Sequence, residues 1–308
     1  MPSSRPWIVV LAGGDGTRLH ALTRALYGAD LPKQFAVLAG ATSLLQQTVE
    51  RALRLTPHDR IMVVVGTHHG ELARIQLAPY PGVELVVQPR NLDTGPGLLL
   101  PLVRVLAREP GARIAFLPSD HHIADSSPFL AALEQRRPQL TLLGVTPTGA
   151  EIEYGWIVRG PRLHCGAAWR VEQFHEKPAQ PVADELFERG ALWNTFISIG
   201  NAVTYWGLAR QYLPVHAAIL ERYAASIGSL EEPAALAHAY ALMDPANFSR
   251  DLLSHARELA VTPVTGSGWS DWGSPRRVFE SLAGTPELDL LLARIRGPRT
   301  EAPIEIAG

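Results

Sequence analysis

Sulfur is scarce in this chain of 308 residues, which has one cysteine, Cys165, and three methionines. A lone cysteine excludes an intramolecular disulfide and any multi-cysteine metal site, and makes a reduced, cytoplasmic setting the expectation. Long apolar runs are missing too. No stretch approaches the roughly 18 residues that a membrane span needs. The apolar run at residues 7–12 meets glycines too soon to be a signal-peptide core, so it reads as a buried first strand. There is also little net charge. At −2, the chain has no global field to attract nucleic acid or an anionic membrane. Internal repeats and low-complexity segments are absent.

What is present is apolar and alternating. Hydrophobic residues make up 46% of the chain, ample for one substantial core. Residues 8–12, 61–66, 83–88 and 114–118 read as strands. Helix-patterned segments lie among them at 43–55, 97–108 and 128–136, the first with Ser43 as a candidate N-cap. That alternation predicts a parallel sheet covered on both faces, with ligands beyond the carboxyl ends of its strands. GGDGTR and the residues after Leu117 fall there. Past residue 140 the rhythm changes: strands at 140–145, 155–158 and 171–174, a helical region at 205–257, and a strand at 258–262. Residues 297–308, rich in Pro, Glu and Ala, read as a loosely held tail.

Several short motifs could carry chemistry, and each has a plainer reading. Gly13-Gly14-Asp15-Gly16-Thr17-Arg18 lacks the third glycine of a dinucleotide fingerprint, Leu19 standing there instead, which disfavours a dehydrogenase. The phosphate loop ending in Gly-Lys-Ser/Thr is absent as well. The loop could still offer backbone N–H groups and the Arg18 guanidinium to a polyphosphate, or be an ordinary strand-to-helix turn. Lys33, just after Pro32, is a second cation or a solvated surface lysine. Asp120, ending a buried strand, suits Mg²⁺ or caps a turn. His121 and His122 lack further ligands at zinc spacing. Asp271 sits between Trp269 and Gly273. Glu176 and Lys177 pair an acid with a base, as a surface ion pair also would.

Taken in order, the motifs are LAGGDGTRL, LPKQF, FLPSDHHI, EYGWIV, FHEKP, LWNTFI and WSDWG. In that order the chain resembles the sugar-1-phosphate nucleotidyltransferases, and within them the mannose-1-phosphate guanylyltransferases, from about residue 7 to about residue 280. The resemblance implies a three-layer, mostly parallel α/β sheet of the Rossmann-like nucleotide-diphospho-sugar transferase type. It implies a catalytic domain at 1–285, with a nucleotide half to about 140 and a sugar-phosphate half beyond, then a tail at 286–308. The implied reaction joins a nucleoside triphosphate, GTP favoured, to a hexose-1-phosphate, mannose-1-phosphate favoured, and releases pyrophosphate.

By the same resemblance Leu11, Ala12, Gly13, Gly14, Gly16 and Thr17 meet the nucleotide, with Arg18 and Lys33 neutralising its phosphates and Gln88 near the base. Asp120 and Asp271 hold Mg²⁺. Gly155, Glu176, Lys177 and Asn194 meet the sugar phosphate. The partners implied are these small molecules, not nucleic acid or membrane, with a homo-oligomer left open.

Four departures stand out. Residues 90–97 read RNLDTGPG where the family has RNTAPAI, which unsettles guanine selection. Phe196 replaces the glycine of WNSGIF. Asp15 replaces a serine, either pairing with Arg18 or a metal-bound water, or capping the helix that begins near His20. The sequence runs only a short way past WSDWG, so the cupin-like isomerase domain of the long members is not expected in it. Two rivals remain: the same reaction with another nucleotide or sugar, and a non-catalytic regulator that binds the same ligands.

Overall fold

The computed structural model describes residues 5–136, 138–163 and 167–297. Cys165 and the tail from residue 298 onward lie outside the described residues. The strands are β1 Trp7–Leu11, β2 Ile61–Gly66, β3 Glu84–Gln88, β4 Arg113–Pro118 and β5 Leu140–Val145, then β6 Gly155–Arg162, β7 Trp169–Glu176, β8 Leu192–Asn201 and β9 Leu259–Val264. They form one sheet in the order β3-β2-β1-β4-β8-β5-β9-β7-β6.

Both faces of this sheet are covered, and β1 and β2 are accordingly apolar at every position. Side chains alternate across a strand. Ile8 and Val10 therefore enter one core with helices His20–Tyr27 and Leu44–Leu53. Trp7 and Val9 enter the other with helix Thr94–Arg108 and the helical region beyond residue 201. Each fully buried Val, Leu or Ile contributes about 1.5–3 kcal/mol to this packing. The Ser43 cap is present: its Oγ accepts from Gln46 N at 3.2 Å, and Gln46 Oε1 accepts from Ser43 N at 3.1 Å. Among the described residues no helix is long and apolar enough to cross a membrane.

Two expectations need correction. The sheet is mixed rather than mostly parallel. β3, β2, β1 and β4 run parallel, as does the β5–β9 pair, but β8 is antiparallel to β4, β5 and β6, and β7 is antiparallel to β6 and β9. The link at 163–168 is too short for the crossover that a parallel β6–β7 pair would need. The second correction concerns the tail, because Pro286–Arg296 is a docked helix. Leu291 is buried, and Arg294 donates to Val37 O at 2.7 Å while lying over the Tyr27 ring.

Candidate active site

Four parallel strands end at the same edge of the sheet, so the loops after β1, β2, β3 and β4 are neighbours. Between them and the β6–β7–β8 side lies an open cleft of about 580 Å³. Leu11, Gly13, Gly14, Arg18 and Gln88 line its first half, while Ala12, Gly16 and Thr17 belong to the same loop but not to the cleft wall. The glycine loop is held from behind. Gly16 has φ +58, and a Cβ on it would fall 2.7 Å from the main-chain N of Lys33, so only glycine fits. Gln34 Nε2 donates to Gly14 O at 2.6 Å and to Ala12 O at 3.2 Å. At Gly13 a Cβ would fall 3.0 Å from the amide of Gln88, whose Oε1 accepts from Tyr240 OH at 3.1 Å.

Asp15 neither pairs with Arg18 nor caps the helix. Its Oδ1 lies 2.9 Å from His68 Nε2, and no side chain caps the turn Thr17–Leu19 or the helix after it. Arg18 instead reaches across the cleft mouth to Glu153 Oε2 at 2.8 Å.

At the centre Asp120 and Asp271 are brought together by a backbone bridge between His122 and Ser270, with N–H···O bonds of 2.9 and 3.0 Å. Lys33, 6% exposed, sits between them. Its Nζ is 3.1 Å from Asp120 Oδ2 and donates to Asp271 O at 2.6 Å. Burial opposes the charge on Asp120, but Lys33 and His121 outweigh it and hold the carboxyl below its ordinary range. Asp271 is likewise held low despite its burial: its Oδ1 accepts from Tyr154 OH at 2.7 Å, Gly273 N at 2.9 Å and Arg277 at 3.1 Å. The two histidines pack on tryptophans, His121 edge-on to Trp269 and His122 stacked on Trp272.

On the other half Gly155 opposes Glu176 in the β6–β7 ladder. A Cβ at Gly155 would fall 3.0 Å from Glu176 Oε2 and 3.3 Å from Asn194 Cβ, so glycine lets these groups meet around open space. Burial raises the Glu176 carboxyl above its ordinary range. Asn194 lines the cleft, and its Oδ1 accepts from Phe196 N at 3.2 Å. Lys177 is different: its main-chain N is held by Tyr154 O at 3.1 Å, and its side chain is exposed and outside the cleft wall.

Backbone strain concentrates here. Among the described residues the non-glycine positions with positive φ are Asp93, Lys177, Phe196 and Trp272, at +68, +46, +61 and +46. Two of them line the cleft, and the other two flank Glu176 and Asp271. Asp93 caps Thr94 N at 2.6 Å and accepts from Asn247 at 3.2 Å. Arg90, by contrast, is spent on the Tyr240 and Met243 carbonyls at 3.0 and 3.1 Å, leaving Asn91, Asp93 and Thr94 to face the cleft.

Sequence reasoning gave no role to Gln34, Glu153, Tyr154 or Arg277. Gln34 lies within LPKQF, and Glu153 and Tyr154 open EYGWIV, so the motifs could have pointed to all three. Arg277 stands outside every motif and acts through Asp271 and through Glu151, far along the chain, so nothing local signals it.

With this geometry in hand, residues 8–286 match the family described as nucleotidyl transferase. A mannose-1-phosphate guanylyltransferase of Salmonella montevideo is 27% identical over 285 residues, covering 88% of this chain and 59% of its own length. One from Escherichia coli K12 is 28% identical over 321 residues, covering 98% and 65%. The chain thus spans about three-fifths of the length of these relatives. A solved structure from Thermus thermophilus, described as a mannose-1-phosphate geranyltransferase, is 29% identical with a TM-score of 0.79, covering 92% of this chain and 80% of that one.

Proposed function

This chain belongs to the nucleotidyl transferase family, and from that premise we propose that it transfers a nucleotidyl group from GTP to mannose-1-phosphate. The phosphate oxygen of the sugar attacks the α-phosphorus, and the bond to the β-phosphate breaks in line. GDP-mannose forms and pyrophosphate leaves. The observation that carries this reading is the meeting of Asp120, Asp271 and the buried Lys33 between a glycine loop and the Glu176–Asn194 pocket.

Enzymes of this family generally use a divalent metal. The donors present fit Mg²⁺, because Asp120 and Asp271 offer hard carboxylate oxygens beside a phosphate-sized space. When bound, the ion would neutralise charge on the phosphates. The chain's own groups do the rest by positioning. Gly13 and Gly14 present backbone to the triphosphate, and Arg18 turns from Glu153 to the phosphates. Lys33 keeps both acids ionised and in place. Gln88 faces the base, while Glu176 and Asn194 accept from sugar hydroxyls. Lys177 swings in to the sugar phosphate. The setting proposed is cytoplasmic.

Phe196 favours a second reading at the same site, in which the sugar is a different hexose-1-phosphate. Its ring stands in the cleft wall beside Asn194. A matrix of nucleoside triphosphates and hexose-1-phosphates with Mg²⁺, scored by pyrophosphate release, tests both. Release from GTP with mannose-1-phosphate alone supports the first reading. Release with another pair moves the substrate choice, and nucleotide binding without any release makes the protein a regulator.

A further inference from the structure

The Asp15–His68 contact is part of a larger group outside the cleft. Asp15 follows Gly14 in the glycine loop, and His68 and His69 follow β2, the strand beside β1. One ligand atom from each of Asp15, His68 and His69 lies within 4.8 Å of the other two. The imidazole centroids are 3.9 Å apart. His69 is only 7% exposed, and its Nδ1 has no hydrogen-bond partner among the described residues. A buried ring nitrogen left in this way is costly unless a ligand compensates for its burial. None of the three residues lines the cleft that holds Asp120 and Asp271.

The geometry points to a separate transition-metal site at Asp15, His68 and His69, taking Zn²⁺ or a divalent ion of similar softness. Two imidazoles and one carboxylate are a donor set for borderline cations rather than for Mg²⁺. Three protein ligands leave a further position for water or another oxygen. An ion there ties the glycine loop to the end of β2 and cancels the Asp15 charge beside the phosphates. That last consequence rests on the nucleotide reading above, whereas the site itself does not.

Calorimetric Zn²⁺ titration of the full chain in excess Mg²⁺ tests it, with Co²⁺ absorption as a report on the ligand field. The wild type is expected to bind one equivalent. Asp15→Asn and His68→Gln are each expected to weaken binding by more than about 10-fold, at least the loss seen when supporting groups of metal sites are removed. Both positions are half exposed, so neither change threatens the fold. Asp271→Asn is expected to leave Zn²⁺ affinity unchanged. The site is overturned if the wild type binds no Zn²⁺, if both variants bind it as tightly as the wild type, or if Asp271→Asn alone abolishes binding. These readouts do not involve turnover, so a failed nucleotide assay leaves them intact.

Discussion

Lys33 Nζ stands 3.1 Å from Asp120 Oδ2 in a site where the lysine side chain is 8% exposed and the aspartate 33%. Removing the ammonium leaves the carboxylate with burial and without its nearest cation. Lys33→Met is expected to cost about 1–3 kcal/mol, less than a fully buried pair because Asp120 keeps some solvent. The pH dependence has a definite sign. Asp120 titrates below its ordinary range in the folded state, so its contribution is present above the unfolded pKa and lost as pH falls through the folded one. In Lys33→Met the folded pKa of Asp120 moves up toward its unfolded value, so the share of the acid loss of stability that Asp120 supplies is expected to shrink. Thermal melts from neutral into acid pH check this; coincident curves for both proteins would refute it. Lys33→Arg is not expected to rescue activity, because a guanidinium fork does not fit a space shaped for a point charge.

Asp271 is held by three donors at once, which separates its charge from its shape. Asp271→Asn keeps an amide oxygen that can accept from Tyr154 OH and Gly273 N, so the loop is expected to stay in place. Pyrophosphate release is expected to fall by about 100-fold or more, the scale of losing one electrostatic stabiliser of a transition state. Asp120→Ala is expected to abolish turnover. Wild-type rates in either variant would remove that residue from the chemistry.

Phe196 holds a left-handed backbone at φ +61 that costs a non-glycine residue about 1–2 kcal/mol. Phe196→Gly relieves that strain but loses the edge contact with Phe248. The two effects oppose, so stability is expected to stay within about 1 kcal/mol of the parent. The cleft, however, loses a ring from its wall. Steady-state assays across hexose-1-phosphates are expected to show a broader acceptor range for the variant, with the parent's preferred sugar binding more weakly. An unchanged preference would mean that the ring does not select.

Much of this was legible in the chain because the informative residues sit where a parallel sheet must end. The runs that became β1, β2 and β4 are apolar throughout, and that signals a strand buried on both faces. Lys33 and Lys177 are the chain's only lysines, and both fall within motifs. β8 was illegible as a strand because Asn194, Thr195 and Ser198 interrupt its apolar pattern. Their polar groups are satisfied only by the fold, Thr195 Oγ1 by Leu143 O at 2.6 Å and Ser198 Oγ by Tyr205 OH at 2.7 Å. The same holds for the partners of Asp15 and Arg18. A local reading places them near each other, whereas the fold gives each a more distant and better-oriented partner.

Burial raises the Glu176 carboxyl, so at neutral pH the folded protein carries a charge it would hold more easily unfolded. Between the unfolded and folded pKa values the native state binds more protons, and stability therefore falls as pH rises through that window. Glu176→Gln removes the penalty. It is expected to melt about 1–2 °C higher at neutral pH, the size of a fraction of a kcal/mol in a chain this long. That advantage should vanish below the unfolded pKa. Paired melts at neutral and acid pH check it, and a variant less stable at both would show that the carboxylate is satisfied in the fold.

Arg18 and Glu153 face each other across the cleft mouth with side chains 53% and 47% exposed. An ion pair so open contributes about 0–1 kcal/mol, so Glu153→Gln is expected to leave the melting temperature essentially unchanged. Its effect on nucleotide binding is expected to be larger. In the proposed mechanism the Arg18 guanidinium turns to the triphosphate, and in this variant it no longer has to leave a carboxylate, while a negative charge is gone from the entrance. The KM for the nucleoside triphosphate should fall a few-fold with kcat nearly constant, and the gain should shrink as salt screens the entrance. A variant whose KM rises instead would show that Glu153 positions Arg18 for the nucleotide rather than holding it away.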